Sequence, residues 1–209
     1  MKGILLKDLY IAKSNILVTV VSLIVLGIGL SFLLEASALL VLAPAVSTTA
    51  VFISITSDAS SRWNKNVITM PVSRRQIIGE KFSFYLILAV LGSIAALIPC
   101  GILALSGMNV KLQSLCLYGS IGISAALLAG CVSLPCAYLF DPEKSQIVFM
   151  LSFMASTGMI AVLVLLTNLF IPVKCHLLLA FQIVLAIAVV CFLASYKIAV
   201  NLYQRRDII

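Results

Sequence analysis

The chain has 209 residues, of which 63% are hydrophobic and only 10% charged, and its formal net charge is +7. Soluble domains typically have about 25% charged residues, so this composition excludes an ordinary soluble protein and indicates an integral membrane protein. The apolar runs are continuous and do not alternate, which favours helices over a barrel. Because one helix needs roughly 20 residues to cross the hydrocarbon, we predict an all-α, polytopic protein with six transmembrane helices.

Residues 1–15 precede the first predicted span. Leu5, Leu9, Ala12 and Ile16 recur at helical spacing among basic residues, which predicts a short interfacial helix that leads into the membrane. The basic residues continue to Lys13 and no clear cleavage site follows them, so we do not expect a cleaved signal peptide.

The predicted spans belong to a single transmembrane domain, residues 1–209. They cover residues 16–34, 38–57, 82–105, 115–139, 147–169 and 177–200. Gly122, Ala126 and Gly130 recur at every fourth position of the fourth span, so two helix backbones can approach closely there. The close approach would lie either within one subunit or between two subunits.

The second span is unusually rich in hydroxyl side chains. In lipid, such groups face neighbouring helices or a cavity, or bond back to their own helix. We predict that hydroxyls of the first two spans line part of a substrate path or a seam between subunits. The candidates are Thr19, Ser22, Thr48, Thr49, Ser54 and Thr56.

The longest polar stretch is the predicted loop of residues 58–81, which contains the only Trp of the chain, Trp63. Pro71 disfavours helix at the residue before it, so the chain should turn there. Ser73 can cap a helix that begins at Arg74, because its hydroxyl can accept an unpaired backbone N–H. A solvated loop would explain the basic residues, but the apolar ones suit a docking surface better. Those apolar residues are Trp63, Val67, Ile68 and Met70.

The basic residues predict the orientation. With six spans both termini lie on one side, and a cytoplasmic placement leaves only Lys111 and Lys174 outside among the 14 basic residues. The net charge therefore indicates orientation and contact with anionic lipid headgroups, and it gives no reason to expect nucleic acid.

Several kinds of chemistry find no support in the sequence. No charged residue falls near the middle of a predicted span, which disfavours ion-coupled transporters. His176, beside Lys174, has no neighbouring ligands and predicts a surface histidine rather than a metal site. No phosphate-binding loop occurs, so ATP would have to bind another chain. Cys116 and Cys175 both fall near the predicted outer face, and their pairing is left open.

The chain resembles a known family, the small ATP-binding-cassette type-2 permeases. The run Asp58…Trp63…Met70-Pro71-Val72-Ser73-Arg74…Lys81 is similar to their first cytoplasmic loop. A second, weaker match is Phe140…Glu143-Lys144, where Asp141 and Pro142 stand around a glycine that is usual in the family. Within the family, the chain looks like the membrane subunits of exporters of phenol-soluble modulins, which are amphipathic peptide toxins.

The resemblance implies a mechanism and a set of partners. The loop after the second span would form a coupling helix that docks in a groove of an ABC ATPase subunit. Two copies of the ATPase, which bind ATP and Mg, would act on two permease subunits, the same or similar, in the bacterial cytoplasmic membrane. This chain would hold no cofactor or catalytic residue. The predicted coupling residues are Asp58, Arg62, Trp63, Lys65, Val67, Ile68, Met70, Pro71, Ser73, Arg74, Arg75 and Lys81, with Asp141, Glu143 and Lys144 in the second loop.

Three alternatives stay open. A substrate-capturing component of a vitamin importer also has about six spans, but it needs convergent polar groups in an enclosed pocket. An intramembrane lipid-modifying enzyme needs paired acids, a metal motif or a nucleophile with its base. A structural subunit would need no transport path. An exporter permease for amphipathic peptides or other hydrophobic compounds remains the favoured hypothesis.

Overall fold

The computed structural model describes residues 2–30, 36–61, 63, 73–105, 111–139, 145–170, 172 and 176–205. These residues form six α-helices and one short 3-10 helix, and no β-strand occurs among them, which confirms the all-α prediction. The elements are α1 (Lys2–Leu30), the 3-10 helix (Ala36–Ala38), α2 (Leu39–Ser60), α3 (Arg74–Leu105), α4 (Leu112–Leu139), α5 (Ser145–Phe170) and α6 (Leu177–Arg205).

The length and hydrophobicity of the helices fit a multi-pass membrane protein. Helices α2 to α6 are each long and apolar enough to cross a membrane. The two arms of α1, Leu5–Lys13 and Asn15–Val25, meet at 51° and would together make a sixth span. The bend lies where the sequence predicts an interfacial helix to pass into the first span.

Both helices that flank the predicted loop of residues 58–81 extend into it. Helix α2 continues to Ser60, beyond the predicted span of residues 38–57, and α3 runs without a break from Arg74 into the predicted span of residues 82–105. The polar residues that suggested a loop are accommodated inside the helix ends because they pair with one another. Sequence polarity therefore marked the end of the apolar run rather than the end of the helix.

Helices α2, α3 and α4 form the centre of the fold, and aromatic side chains fill the space between them and α5 and α6. Phe52 of α2 packs on Phe149 of α5 with ring centroids 4.6 Å apart. Tyr85 of α3 is fully buried, and its hydroxyl donates to the Ala126 carbonyl oxygen of α4 at 2.6 Å. This contact satisfies the hydroxyl in an otherwise apolar core.

The glycines of α4 pack against helices of the same chain. A Cβ on Gly122 would lie 2.1 Å from the Leu40 carbonyl oxygen of α2, and one on Gly130 would lie 2.5 Å from the Tyr85 ring. Of the two interpretations left open by the sequence, close packing within one subunit is the one that the structure uses at both positions.

Candidate functional site

Two residues predicted for the coupling loop are buried at the helix ends. Asp58 in the last turn of α2 is 6% exposed, and Lys81 in α3 is 5% exposed. The Lys81 ammonium donates to the Asp58 carboxylate at 2.8 Å. The pair therefore ties together the two helices that flank the loop.

The N-terminal arm of α1 completes this contact with a residue that the sequence did not single out. Asp8 is fully buried and accepts a hydrogen bond from Lys81. Lys7 Nζ lies 2.5 Å from the second oxygen of Asp58 and 3.3 Å from Asp8 Oδ1. Lys7, Asp8, Asp58 and Lys81 are called the ion cluster below, and they join α1, α2 and α3.

Trp63 extends the ion cluster toward the loop. The Lys7 ammonium lies 4.3 Å from the centroid of the Trp63 ring, a cation–π contact, and the side chain of Trp63 is half-buried. One face of the ring is thus occupied by the protein itself. Trp63 is therefore placed as the link between the loop and α1, with only part of its surface left for a partner.

The electrostatics make this arrangement specific. Bringing charges out of water costs free energy, which is recovered only when each charge is paired and hydrogen-bonded. Lys81 achieves this with three acceptors: Asp8, Asp58 and, at 2.8 Å, the Ser54 hydroxyl. These acceptors use all three donors of an ammonium group. Loss of any one acceptor would leave a Lys81 donor unsatisfied, and loss of Lys81 would leave Asp8 and Asp58 without their shared cation.

The start of α3 follows the predicted local chemistry. The Ser73 hydroxyl accepts the backbone N–H of Gln76, and the Gln76 side chain accepts the backbone N–H of Ser73. This reciprocal pair is a capping box, and it fixes the first turn of α3. The predicted helix start at Arg74 is confirmed, and Arg75 is exposed on the same turn.

The other predicted coupling residues lie outside the described residues. In the first loop these are Arg62, Lys65, Val67, Ile68, Met70 and Pro71, and in the second loop they are Asp141, Glu143 and Lys144. The backbone of Arg74 is described as the first residue of α3.

The hydroxyls predicted to line a path have different surroundings in the structure. Thr48 is fully buried and donates to the carbonyl oxygen of its own helix at Ala45. Ser54 is fully buried at the ion cluster instead. Ser22, Thr49 and Thr56 also bond back to carbonyl oxygens three residues earlier. Back-bonding satisfies these hydroxyls without a second helix or a substrate.

Thr19 does line a groove. The groove lies between α1, α2 and α3, and its walls are otherwise apolar apart from Ser47. Gly92 of α3 forms part of its wall, where a Cβ would meet the Ser47 hydroxyl oxygen at 2.2 Å. The remaining lining residues are Ile16, Val20, Leu88, Leu91 and Ala95. No charged side chain lies among them.

Other candidate chemistry is sparse in the described part of the chain. No group of three or more His, Cys, Asp or Glu side chains there could hold a metal ion. His176 is exposed, as predicted. The Cys116 thiol is free, and Cys175 lies outside the described residues.

Sequence reasoning missed Lys7, Asp8 and Glu80 as members of the buried polar region. Asp8 and Glu80 belong to a small set, because the whole chain has only seven acidic residues. That scarcity is a signal, since an acid at the end of an apolar helix needs a partner. Lys81, the partner of Asp8, is 73 positions away in the sequence, so no local spacing identifies it.

No curated protein and no solved structure matches the chain. A family model described as ABC-2 family transporter protein matches residues 3–204, which is nearly the whole chain and includes all six helices. Together with the apolar helices, this match shows that the chain belongs to the ABC-2 family of transporter membrane proteins.

Proposed function

We propose that this chain is the permease subunit of an ATP-driven exporter that moves amphipathic peptides or other hydrophobic compounds out of a bacterial cell. Both termini face the cytoplasm, where the basic residues are concentrated. Family membership assigns the chain to the membrane component of an ABC transporter. The direction of transport and the cargo are the added proposal.

The observation that carries the cargo class is the chemistry of the groove between α1, α2 and α3. Its lining offers only apolar surface and the hydroxyls of Thr19 and Ser47. A charged solute would have to lose its hydration there without gaining a partner. An amphipathic helix or a lipophilic compound presents apolar surface, so contact with the groove lining costs it much less.

ATP hydrolysis takes place on a separate ATPase subunit, present in two copies, and two permease subunits form the path. The segment after α2 docks on the ATPase and transmits its movement. The ion cluster supports this role because it fixes α1, α2 and α3 to one another at the base of that segment. A movement of the docked segment is then passed to three helices at once.

A vitamin importer component is the second candidate. It would need convergent polar groups deep among the helices. In the described residues the charged groups that are buried gather at one end of α1, α2 and α3, away from the groove. This separation favours the exporter.

The test is reconstitution of the permease with its ATPase in liposomes, followed by ATP hydrolysis against a panel of compounds. The panel contains an amphipathic helical peptide, a lipophilic drug and a polar vitamin. We expect stimulation by the peptide or the drug. Stimulation by the vitamin alone would overturn the proposal and support the importer.

A matched pair of variants locates the effect. Thr19→Phe fills the groove, whereas Val21→Phe adds the same ring to an exposed position of the same helix. We expect Thr19→Phe to reduce stimulation by the cargo and Val21→Phe to leave it close to that of the unmodified protein. Equal effects of the two variants would count against the groove as the cargo site.

A further inference from the structure

Glu80 is a buried acid that the ion cluster does not satisfy. Its side chain is 2% exposed, and neither carboxylate oxygen has a hydrogen-bond partner among the described residues. The adjacent Lys81 does not serve it, because its three donors are taken by Asp8, Asp58 and Ser54. The residue is therefore an unpartnered carboxyl group at the base of the predicted coupling segment.

The charges of this region do not balance. Asp8, Asp58 and Glu80 would carry three negative charges if all were ionised, against two positive charges on Lys7 and Lys81. A buried carboxylate without compensation takes up a proton rather than remain charged. Two carboxyl groups at one site likewise share a proton, because like charges at short range disfavour ionisation of both.

The place of that proton follows from the unsatisfied atoms. The Glu80 and Asp8 carboxyl groups are both buried and interact with each other, and Lys81, the residue next to Glu80, binds Asp8. Asp8 Oδ2 accepts from Lys81, whereas Asp8 Oδ1 has the Lys7 ammonium 3.3 Å away as an ion pair but accepts no hydrogen bond from the described residues. A protonated Glu80 would supply one. As two carboxylates, neither group could donate to the other.

We propose that Glu80 and Asp8 form a carboxyl–carboxylate pair that binds one proton, and that this proton fastens the N-terminal arm of α1 to α3. The pair shares Asp8 with the ion cluster, so the charged groups around it are Lys7 from α1, Asp58 from α2 and Lys81 from α3.

The sign of the pH effect follows from the charges. At low pH the proton is present, and α1 and α3 are joined by a hydrogen bond. As pH rises the proton is lost, and two like charges then face each other across the same contact. The contact between the α1 arm and α3 then weakens, because Lys81 alone still holds Asp8, and so does the connection between the coupling segment and α1. The Glu80–Asp8 pair belongs to the coupling region, and its protonation does not depend on which compound is transported.

Infrared spectroscopy of the purified permease–ATPase complex tests the pair directly. A protonated carboxyl group has a C=O stretching band that is separate from the carboxylate bands. We expect one such band at neutral pH that disappears at high pH. Glu80→Gln should abolish it, and Asp8→Asn should shift it because Glu80 loses its charged acceptor. Glu35→Gln, the matched substitution in the connection between α1 and α2, should keep it.

Activity provides a second measurement. ATP hydrolysis by each complex is followed against pH and scaled to the maximum of that complex. We expect ATP hydrolysis by the unmodified complex to decline as the pH rises into the alkaline range. The decline should be smaller in Glu80→Gln, because the amide cannot ionise. If Glu80→Gln does not assemble, Glu80→Asp keeps the acid and should move the infrared band.

A spectrum of the unmodified complex without a protonated carboxyl band, or a band untouched by both Glu80 variants, would overturn the proposal. The infrared result does not depend on any transported compound. A failure here is therefore distinct from a failure of the proposed export function, which the compound panel tests.

Discussion

The two sides of this molecule are stabilised by different means. Helix α2, which joins the ion cluster, has 61% of its apolar window buried within the chain, whereas α5 has 17% and α6 has 22%. The first side is held by charges that allow only one arrangement. The second side presents exposed apolar residues such as Met150, Met154 and Leu165 of α5. Such a surface suits lipid or a second subunit, because neither requires a directed contact.

This difference indicates which part of the fold tolerates change. Apolar surfaces re-pack at little cost when hydrophobicity and volume are kept. A buried ion pair tolerates substitution poorly, because the loss of one partner leaves the other charge buried without compensation. We therefore expect the largest effects at the end of α1, α2 and α3 and the smallest on α5 and α6.

The largest effect is expected for Lys81→Ala. It leaves Asp8 and Asp58 buried without their shared cation, which should lower the free energy of unfolding by about 3–5 kcal/mol. The measurement is thermal unfolding of the purified permease in detergent. The matched control is Lys197→Ala on the exposed surface of α6, for which we expect a change within about 0.5 kcal/mol. Similar melting temperatures for the two variants would remove the contrast between the two sides.

The second effect concerns Trp63→Ala. If the segment after α2 docks in a groove of the ATPase, the loss of an aromatic anchor should weaken the complex by at least ~2 kcal/mol. Complex yield and ATP turnover are the measurements. Lys7→Met sharpens the test, because it removes the cation from the ring and keeps the ring itself.

The two variants separate two roles of Trp63. A loss of complex with Trp63→Ala alone supports docking on the ATPase. An equal loss with Lys7→Met would show that assembly depends on the contacts of Lys7 with Trp63 and with the two acids, Asp8 and Asp58. Normal assembly and turnover of Trp63→Ala would exclude the docking role.

The third effect compares two glycines. A Cβ on Gly122 would lie 2.1 Å from the Leu40 carbonyl oxygen and 2.9 Å from the Val41 Cα, whereas one on Gly158 of α5 meets nothing within 4 Å. Overpacking should make Gly122→Ala less stable by about 1–3 kcal/mol. Gly158→Ala should gain up to about 1 kcal/mol from helix propensity. Thermal unfolding measures both, and a destabilised Gly158→Ala would mean that α5 is not free on this face.

The comparison also shows what the sequence was able to predict. The helices follow from long apolar runs, and the start of α3 follows from Ser73, because helix capping is local chemistry; the structure adds Gln76 as the second half of the capping box. The pairing of Asp8 with Lys81 was not predicted, since no periodicity encodes which distant charges meet. For the same reason Asp58 and Lys81 were assigned to a loop.

The hydroxyls illustrate a different limit. A Ser or Thr in an apolar helix has the same sequence signature whether it faces a substrate or bonds to its own backbone. Thr48 and Thr56 do the latter, while Thr19 lines the groove. Only the positions of neighbouring helices separate these outcomes, and they depend on the whole fold.

The smallest effect is expected for Ser73→Ala, which removes the cap of α3 beside the ion cluster. The Gln76 backbone N–H loses its side-chain acceptor and keeps only the Ser73 carbonyl oxygen, and the first turn of α3 should be less stable by about 1 kcal/mol. Ser83→Ala is the matched control, because Ser83 is exposed within the same helix and bonds back to the Gly79 carbonyl oxygen. Hydrogen exchange of the Gln76 and Ile77 amides measures the effect.

We expect faster exchange at these two amides in Ser73→Ala only, while the amides near Lys81 keep their protection. That outcome follows because the ion cluster holds α3 one turn further on, independently of the cap. If exchange instead rises along α3 as far as Lys81, the cap and the ion cluster form one cooperative unit. Damage to the loop would then reach α1 and α2 through the same charges that join the three helices.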